Sequence, residues 1–250
     1  MKQLLNRVLP KFVIKILVKN KYRKRNVEIH NYNIETKKIV EVKCTHIKSY
    51  TFLKILFFKS FSGLISVKKY KFYFYPIAII EIPSNIDTYL KEIGPKSRNM
   101  NKKAEKNSIS CKVFDWNEYL DSVYEVNTSS LVRQGREMDV TYKSYPKEVI
   151  YPNENNYSIV HIGAFLKEKL VGYIELYIYG NFAMTNRILG HKEYLKFGVM
   201  NLMVKKCVEY GIDNNLEYIN YLTMENRKHN SLSAFKYRVG FREYSLLELK

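Results

Sequence analysis

Cysteine is scarce: Cys44, Cys111 and Cys207 are the only three in 250 residues. They are odd in number and widely spaced, with no C-x-x-C pair and only His46 close to one of them, so neither a disulfide framework nor a zinc site is expected. Long apolar runs are missing as well. No stretch reaches the ~18 residues needed to span a bilayer, and the longest, Phe72 to Ile82, is interrupted by Pro76. A soluble or peripheral protein, cytoplasmic, is the expectation. The chain has no G-x-G-x-x-G, Walker loop, H-E-x-x-H or G-x-S-x-G, which leaves nucleotide hydrolysis and metal chemistry without support. It also lacks an internal repeat, a heptad run and a low-complexity segment.

What is abundant is positive charge. Forty-two Lys and Arg stand against twenty-four Asp and Glu, a formal net charge of +18, with 46% hydrophobic residues. That hydrophobic share is ordinary for a globular chain with a real core. The excess charge suits nucleic acid, anionic lipid or a phosphate-bearing substrate, or serves solubility alone. The first twenty-five residues carry no acidic side chain, and Leu4, Leu5, Val8, Leu9, Phe12, Ile16 and Leu17 make a partly amphipathic face. Residues 1–25 therefore read either as a peripheral contact with an anionic membrane surface or as a helix packed on the domain. They lack the uninterrupted apolar region and small-residue cleavage site of a secretory signal. Beyond them, 38–43, 50–58 and 70–82 are β-branched and aromatic and predict strands, with Ser60, Ser62, Gly63 and Pro76 as interruptions. The cluster Tyr70, Phe72, Tyr73, Phe74 and Tyr75 is either a base-stacking face or core. Residues 1–84 form a basic segment and β-rich lead-in, and 85–250 a second domain.

In that second part, Asn85-Ile86-Asp87 opens a helix, and the basic stretches Gly94 to Asn99 and Asn101 to Lys106 follow. Ile109 to Phe114 reads as a strand, and Trp116 to Ser130 as an amphipathic helix with Trp116, Tyr119, Leu120, Val123 and Val126 on one side. Tyr142 to Tyr157, with Pro146, Pro152 and three asparagines, reads as an irregular loop. The strands 158–166 and 170–179 flank a tight Lys167-Glu168-Lys169 turn, and 182–189 is a further strand.

Apolar residues at helical spacing from Tyr194 to Val208 predict a helix over 192–210 with Gly211 at its C-terminus. Leu216 to Met224 predicts a buried strand. Asn230 or Ser231 would cap a helix ending in Val239-Gly240-Phe241, and Tyr244 to Leu249 closes the chain as a strand.

This order, with Phe235-Lys236-Tyr237-Arg238-Val239-Gly240 near its end, resembles the second half of a GNAT-type acyltransferase domain. Within that superfamily the chain looks most like the Fem-type peptidyltransferases and the CelD-like acyltransferases. Members of that branch often carry a phenylalanine-lysine pair, two free positions, an apolar residue and glycine. The lysine-x-arginine cluster Lys96-Ser97-Arg98 and the arginine-x-glycine of Arg133-Gln134-Gly135 also resemble that branch. The resemblance covers about 86–250 and implies an α/β (α+β) fold, a mixed, splayed central sheet flanked by helices.

It further implies an N-acyltransferase with acyl-CoA (acetyl-CoA) as co-substrate and an amine acceptor, such as a cell-envelope sugar or peptide precursor. Fem-type proteins take aminoacyl-tRNA as donor, which makes tRNA the other candidate partner. The family's pyrophosphate turn corresponds to Leu195 to Met200, where Gly198 keeps the pattern and Leu195 and Met200 depart from it. Lys196, Phe197, Gly198, Val199 and Asn201 are thus the candidate donor-binding residues, through backbone amides and the helix dipole. Lys96, Arg98, Arg133 and Arg136 are candidates for a substrate phosphate or carboxylate. Glu175 is a candidate base, Lys236 a candidate for donor phosphate or oxyanion charge, and Tyr237 a candidate acid. His161 and His191 are candidates by residue type alone. A non-catalytic RNA- or membrane-binding protein is the rival reading, carried by the net charge and the basic N-terminus.

Overall fold

The computed structural model describes residues 36–43, 52–58, 63–67 and 70–249, apart from 134, 154–156 and 225–230. In chain order the elements are β1 (Thr36–Lys43), β2 (Phe52–Phe58), β3 (Gly63–Val67), β4 (Tyr70–Glu81), α1 (Ile86–Glu92), α2 (Pro95–Lys106) and β5 (Ile109–Val113). A 3-10 turn (Trp116–Tyr119) leads into α3 (Leu120–Thr128), followed by β6 (Val132–Arg133), β7 (Arg136–Glu137) and α4 (Val140–Lys143). Then come β8 (Tyr157–Leu166), β9 (Lys169–Tyr179), β10 (Phe182–Gly190), a 3-10 turn (Leu195–Phe197), α5 (Val199–Asp213), β11 (Tyr218–Thr223), α6 (Ser231–Arg238) and β12 (Arg242–Leu249). The chain divides into two compact units, 1–77 with 243–250, and 78–242.

In the first unit β1 pairs antiparallel with β2, β2 with β12, and β3 with β4. The Gly63 region, expected only to interrupt strands, itself forms β3: Gly63 pairs with Phe74 and Val67 with Tyr70. Cys44 and the basic segment 1–25 lie outside the described residues, so the membrane reading of that segment has no structural counterpart here.

The second unit is a mixed sheet in the order β4-β11-β10-β9-β8-β5. β5, β8, β9 and β10 are antiparallel neighbours, while β10 and β11 run parallel. The two-residue alternation along β9 sorts its side chains onto opposite faces. Ile174, Leu176 and Ile178 join a core with α1, α2 and α5, whereas Tyr173 joins Trp116, Val123 and Val126 beneath the 3-10 turn and α3. Helices thus cover both faces, and Ile162, Ile174, Val208 and Trp116 are all fully enclosed.

Several boundaries differ from those expected. The helix anticipated over 192–210 begins only at Val199, because Leu195–Phe197 winds as 3-10 and Gly198 then takes φ +93°. A side chain could not stand there: a Cβ on Gly198 would lie 2.3 Å from the carbonyl oxygen of Met100 on α2. α5 then runs through Gly211 to Asp213, so Gly211 is a buried helical residue against Ile82 rather than a terminator. Gly240 does take the left-handed conformation expected after α6. The segment 116–130 splits into a 3-10 turn and α3, and the two-residue β6 and β7 had no signature long enough to read.

Candidate functional site

The two central parallel strands part. β10 and β11 are in register only at Phe182↔Tyr218, Ala183↔Ile219 and Met184↔Asn220, although β10 continues to Gly190 and β11 to Thr223. Two local irregularities accompany this. β10 is bulged between Thr185 and Arg187, and a bulge bends and twists its strand. On β11, Leu222 has φ +50°, a conformation that costs a bulky residue about 1–2 kcal/mol. Asn220 braces the bend: its Nδ2 donates to the carbonyls of Ala78 (3.1 Å) and Leu222 (3.2 Å), while its Oδ1 accepts from the amide of Leu222 (3.2 Å). Just beyond the last paired residue of β10 lies Thr185, 3% exposed, whose hydroxyl has no hydrogen-bond partner among the described residues.

Lys236 on α6 belongs to this region. It is buried, and its ammonium donates to the carbonyl of Tyr221 at 2.8 Å and stands 4.3 Å from the centre of the Tyr221 ring. Burial raises the Tyr221 phenol far above its ordinary range, so this residue stays neutral. Tyr237, next in sequence, is half-buried and packs against the main core.

One strand further into the sheet, Glu175 is 2% exposed. It faces His161 across the β8/β9 hairpin, and Oε1 lies 3.2 Å from His161 Nε2. Asn186, the residue in the β10 bulge, donates to Oε2, and Arg187 Nε lies 3.5 Å from the same oxygen. Burial alone would push the Glu175 pKa up. The hydrogen bonds from His161 and Asn186, with the charges of Arg187 and His161, outweigh it and hold the pKa below the ordinary carboxylate value. Glu175 is therefore a buried carboxylate kept ionised. His161 is itself fixed, with Nδ1 3.3 Å from the Tyr151 hydroxyl and its ring 4.7 Å from that of Trp116. Tyr151 in turn donates to Asp115 and accepts from the Trp116 amide.

The expected basic cluster is dispersed. Lys96 is exposed, but Arg98 donates to the carbonyls of Leu90 and Ile93 and so caps the end of α1. Arg133 donates to the carbonyls of Gly190 (2.8 Å) and Val126 (3.2 Å) and to the Ser129 hydroxyl, tying the end of α3 to the end of β10. The side chain of Arg136 lies outside the described residues. At the turn expected to receive the donor, Lys196 is exposed over the Phe197 ring, Phe197 and Asn201 are half-buried, and Val199 is fully enclosed. The amides of Asn201 and Leu202 bond back to the Gly198 carbonyl, so Val199 and Met200 supply the opening amides of α5. His191 is 8% exposed; burial lowers its pKa despite Glu125 3.9 Å away.

The residues that reading by sequence missed are Tyr151, Asn186, Arg187 and Tyr142. A signal existed for the pairing of His161 with Glu175. The two lie seven positions on either side of Glu168, so a hairpin centred on that turn puts them opposite one another. No such signal pointed to Arg187, whose place depends on the bulge.

The described residues thus form a mixed sheet that parts between parallel strands, with a buried ionised carboxylate on the neighbouring strand. Residues 120–241 match the acetyltransferase (GNAT) family, and the chain carries a GNAT acyltransferase domain over that stretch. Among solved structures, FemX shares the fold at a TM-score of 0.52 and 12% identity, over 68% of this chain and 61% of that one. The C-terminal domain of a lysylphosphatidylglycerol synthetase from Agrobacterium fabrum matches at 0.48 and 12%, over 74% and 62%. An N-acetyltransferase from Thermoplasma acidophilum, in complex with coenzyme A, matches at 0.39 and 19%, over 56% and 98%. The chain spans about three-fifths of the length of the first two. No protein of curated function matches in sequence. Among the described residues no helix is long and apolar enough to cross a membrane, and no His, Cys, Asp and Glu cluster is arranged to hold a metal ion.

Proposed function

We propose that the chain transfers an acyl or aminoacyl group to an amine acceptor such as a cell-envelope sugar or peptide precursor, with acyl-CoA (acetyl-CoA) as donor. The observation that carries this is the parting of β10 and β11 beside the ionised carboxylate of Glu175. The acceptor nitrogen attacks the acyl carbonyl carbon, the thioester C–S bond breaks, and the proton released from nitrogen passes to Glu175 directly or through water. Tyr237 returns a proton to the leaving thiolate. Positioning of the two substrates supplies much of the rate. The opening amides of α5, those of Val199 and Met200, receive the donor pyrophosphate, with Lys196, Phe197, Gly198 and Asn201 shaping the turn around it. Lys236 contributes positive charge at the end of β11. Lys96 and Arg136 contact the acceptor, while Arg98 and Arg133, bound to carbonyls, act on it through their field.

Residues 85–250 form the acyltransferase part and 1–84 a basic lead-in, whose first twenty-five residues make a peripheral contact with anionic lipid on the cytoplasmic side. The formal charge of +18 favours one alternative donor, aminoacyl-tRNA. A thermal-shift titration separates the two donors. A ligand that binds the folded chain stabilises it by about 2.7 kcal/mol at a hundred times its Kd. Coenzyme A and acetyl-CoA are expected to raise the melting temperature. No shift with either, together with salt-sensitive tRNA binding, replaces acyl-CoA by the tRNA donor. Exact product mass after incubation with a panel of amines tests the transfer itself.

A further inference from the structure

We propose that Arg187, with Tyr142 beside it, recognises a carboxylate on the acceptor, so that the acceptor is an amine carrying a carboxylate, as in an amino acid or short peptide. This rests on the acyl-transfer reading above and deepens it.

Arg187 emerges from the bulge in β10, paired with Glu175 of β9 and two residues past Thr185, close to where β10 leaves β11. One edge of its guanidinium is held by Glu175, with Nε 3.5 Å from Oε2. One face is turned to Trp116, whose fully enclosed ring lies 5.8 Å from Cζ. These two contacts fix the plane of the group and leave Nη1 and Nη2 free of hydrogen bonds among the described residues, on a side chain that is 38% exposed. A fixed, open pair of terminal N–H groups is the shape that binds a carboxylate through two parallel hydrogen bonds.

Tyr142, on α4, completes the corner. It is half-buried, packs against the Trp116 core and makes no side-chain hydrogen bond among the described residues. It lies within electrostatic reach of Arg187, Glu175, Asp139 and Arg133, and of Tyr221 on β11. Its phenol remains protonated, since burial raises its pKa, and so offers an O–H donor. Charge selects the ligand. Around Tyr142, Arg187 and Arg133 stand against Glu175, a surplus of one positive charge; Asp139 is exposed to solvent and engaged in capping α4. That surplus matches a monoanionic carboxylate, whereas a dianionic phosphate would add unmatched charge to a half-buried corner.

The experiment compares a matched pair of probes, glycylglycine and glycylglycinamide, by saturation-transfer NMR with the full chain. The wild type is expected to bind the carboxylate member at least tenfold more tightly. That preference collapses in Arg187→Gln, is only partly recovered in Arg187→Lys, which restores charge without the fork, and falls several-fold in Tyr142→Phe. Melting temperatures of the variants establish that each is folded. Equal binding of the two probes by the wild type, or a preference that survives Arg187→Gln, overturns the assignment. So does Arg187-dependent binding of phosphoethanolamine tighter than that of glycylglycine, which makes the acceptor a phosphate. Product masses with acetyl-CoA keep the two proposals apart. Acylation of both probes at equal rates overturns the carboxylate site and leaves acyl transfer standing. A carboxylate preference without acylated product from any donor overturns acyl transfer and leaves the carboxylate site.

Discussion

Replacing Lys236 by Met removes a buried ammonium while keeping most of its volume, which makes the contacts at the end of β11 measurable. Lys236 is 3% exposed, and its ammonium donates to the Tyr221 carbonyl at 2.8 Å and lies 4.3 Å from the centre of the Tyr221 ring. A hydrogen bond to a charged group contributes about 1.5–3 kcal/mol, and a desolvated cation over an aromatic face about 2 kcal/mol. Relief of the cost of burying the charge offsets part of this. A net loss of about 2 kcal/mol remains, which for a chain of this size lowers the melting temperature by roughly 4–8 °C. Acyl transfer, followed by product mass well below that temperature, is expected to fall about a hundredfold, because small displacements of reacting groups cost that much. An unchanged melting temperature would refute the buried contact. A lowered melting temperature with full turnover would make Lys236 a support for Tyr221 and nothing more.

Glu175 carries a pH signature. Its folded pKa lies below the ordinary 4.5, so its contribution to stability is fully present above the unfolded value and is lost as pH falls through the folded one. The urea midpoint of the wild type relative to Glu175→Gln is expected to be constant from pH 7 to about 5.5 and to shrink below 4.5; a difference that grows on acidification would contradict this reading. Gly198→Ala combines φ +93° with a Cβ 2.3 Å from the Met100 oxygen. Left-handed strain of about 1–2 kcal/mol and overpacking of about 1–3 kcal/mol should lower unfolding free energy by about 3 kcal/mol in urea titrations, and a neutral result would mean that α2 does not press on this turn.

The sheet's faces and the helix stripes were legible in the chain because they depend on near neighbours. Alternation along 170–179 and the three-to-four spacing from Val199 to Val208 determine which side chains can be buried together, whatever lies against them. The turn at Lys167 to Lys169 even placed His161 opposite Glu175. Helix starts were legible only where the chain carries its own stop. The turn before α5 has apolar residues at helical spacing, and Gly198 is driven into its left-handed conformation by close packing against a carbonyl nearly a hundred residues earlier.

The roles of the charged residues were settled by tertiary structure alone. Arg98, Arg133 and Lys236 look alike as cations in a basic sequence, yet each is bound to particular carbonyls, on α1, on α3 and β10, and on β11. Those acceptors become available only when helices end and strands part. Arg187 is left with an open fork for the converse reason: a bulge in β10 turns it onto Glu175 and Trp116, which hold one edge and one face. Local pattern determines which residues are buried; which cation is left open to bind a ligand depends on where distant chain ends and irregularities place their unpaired carbonyls.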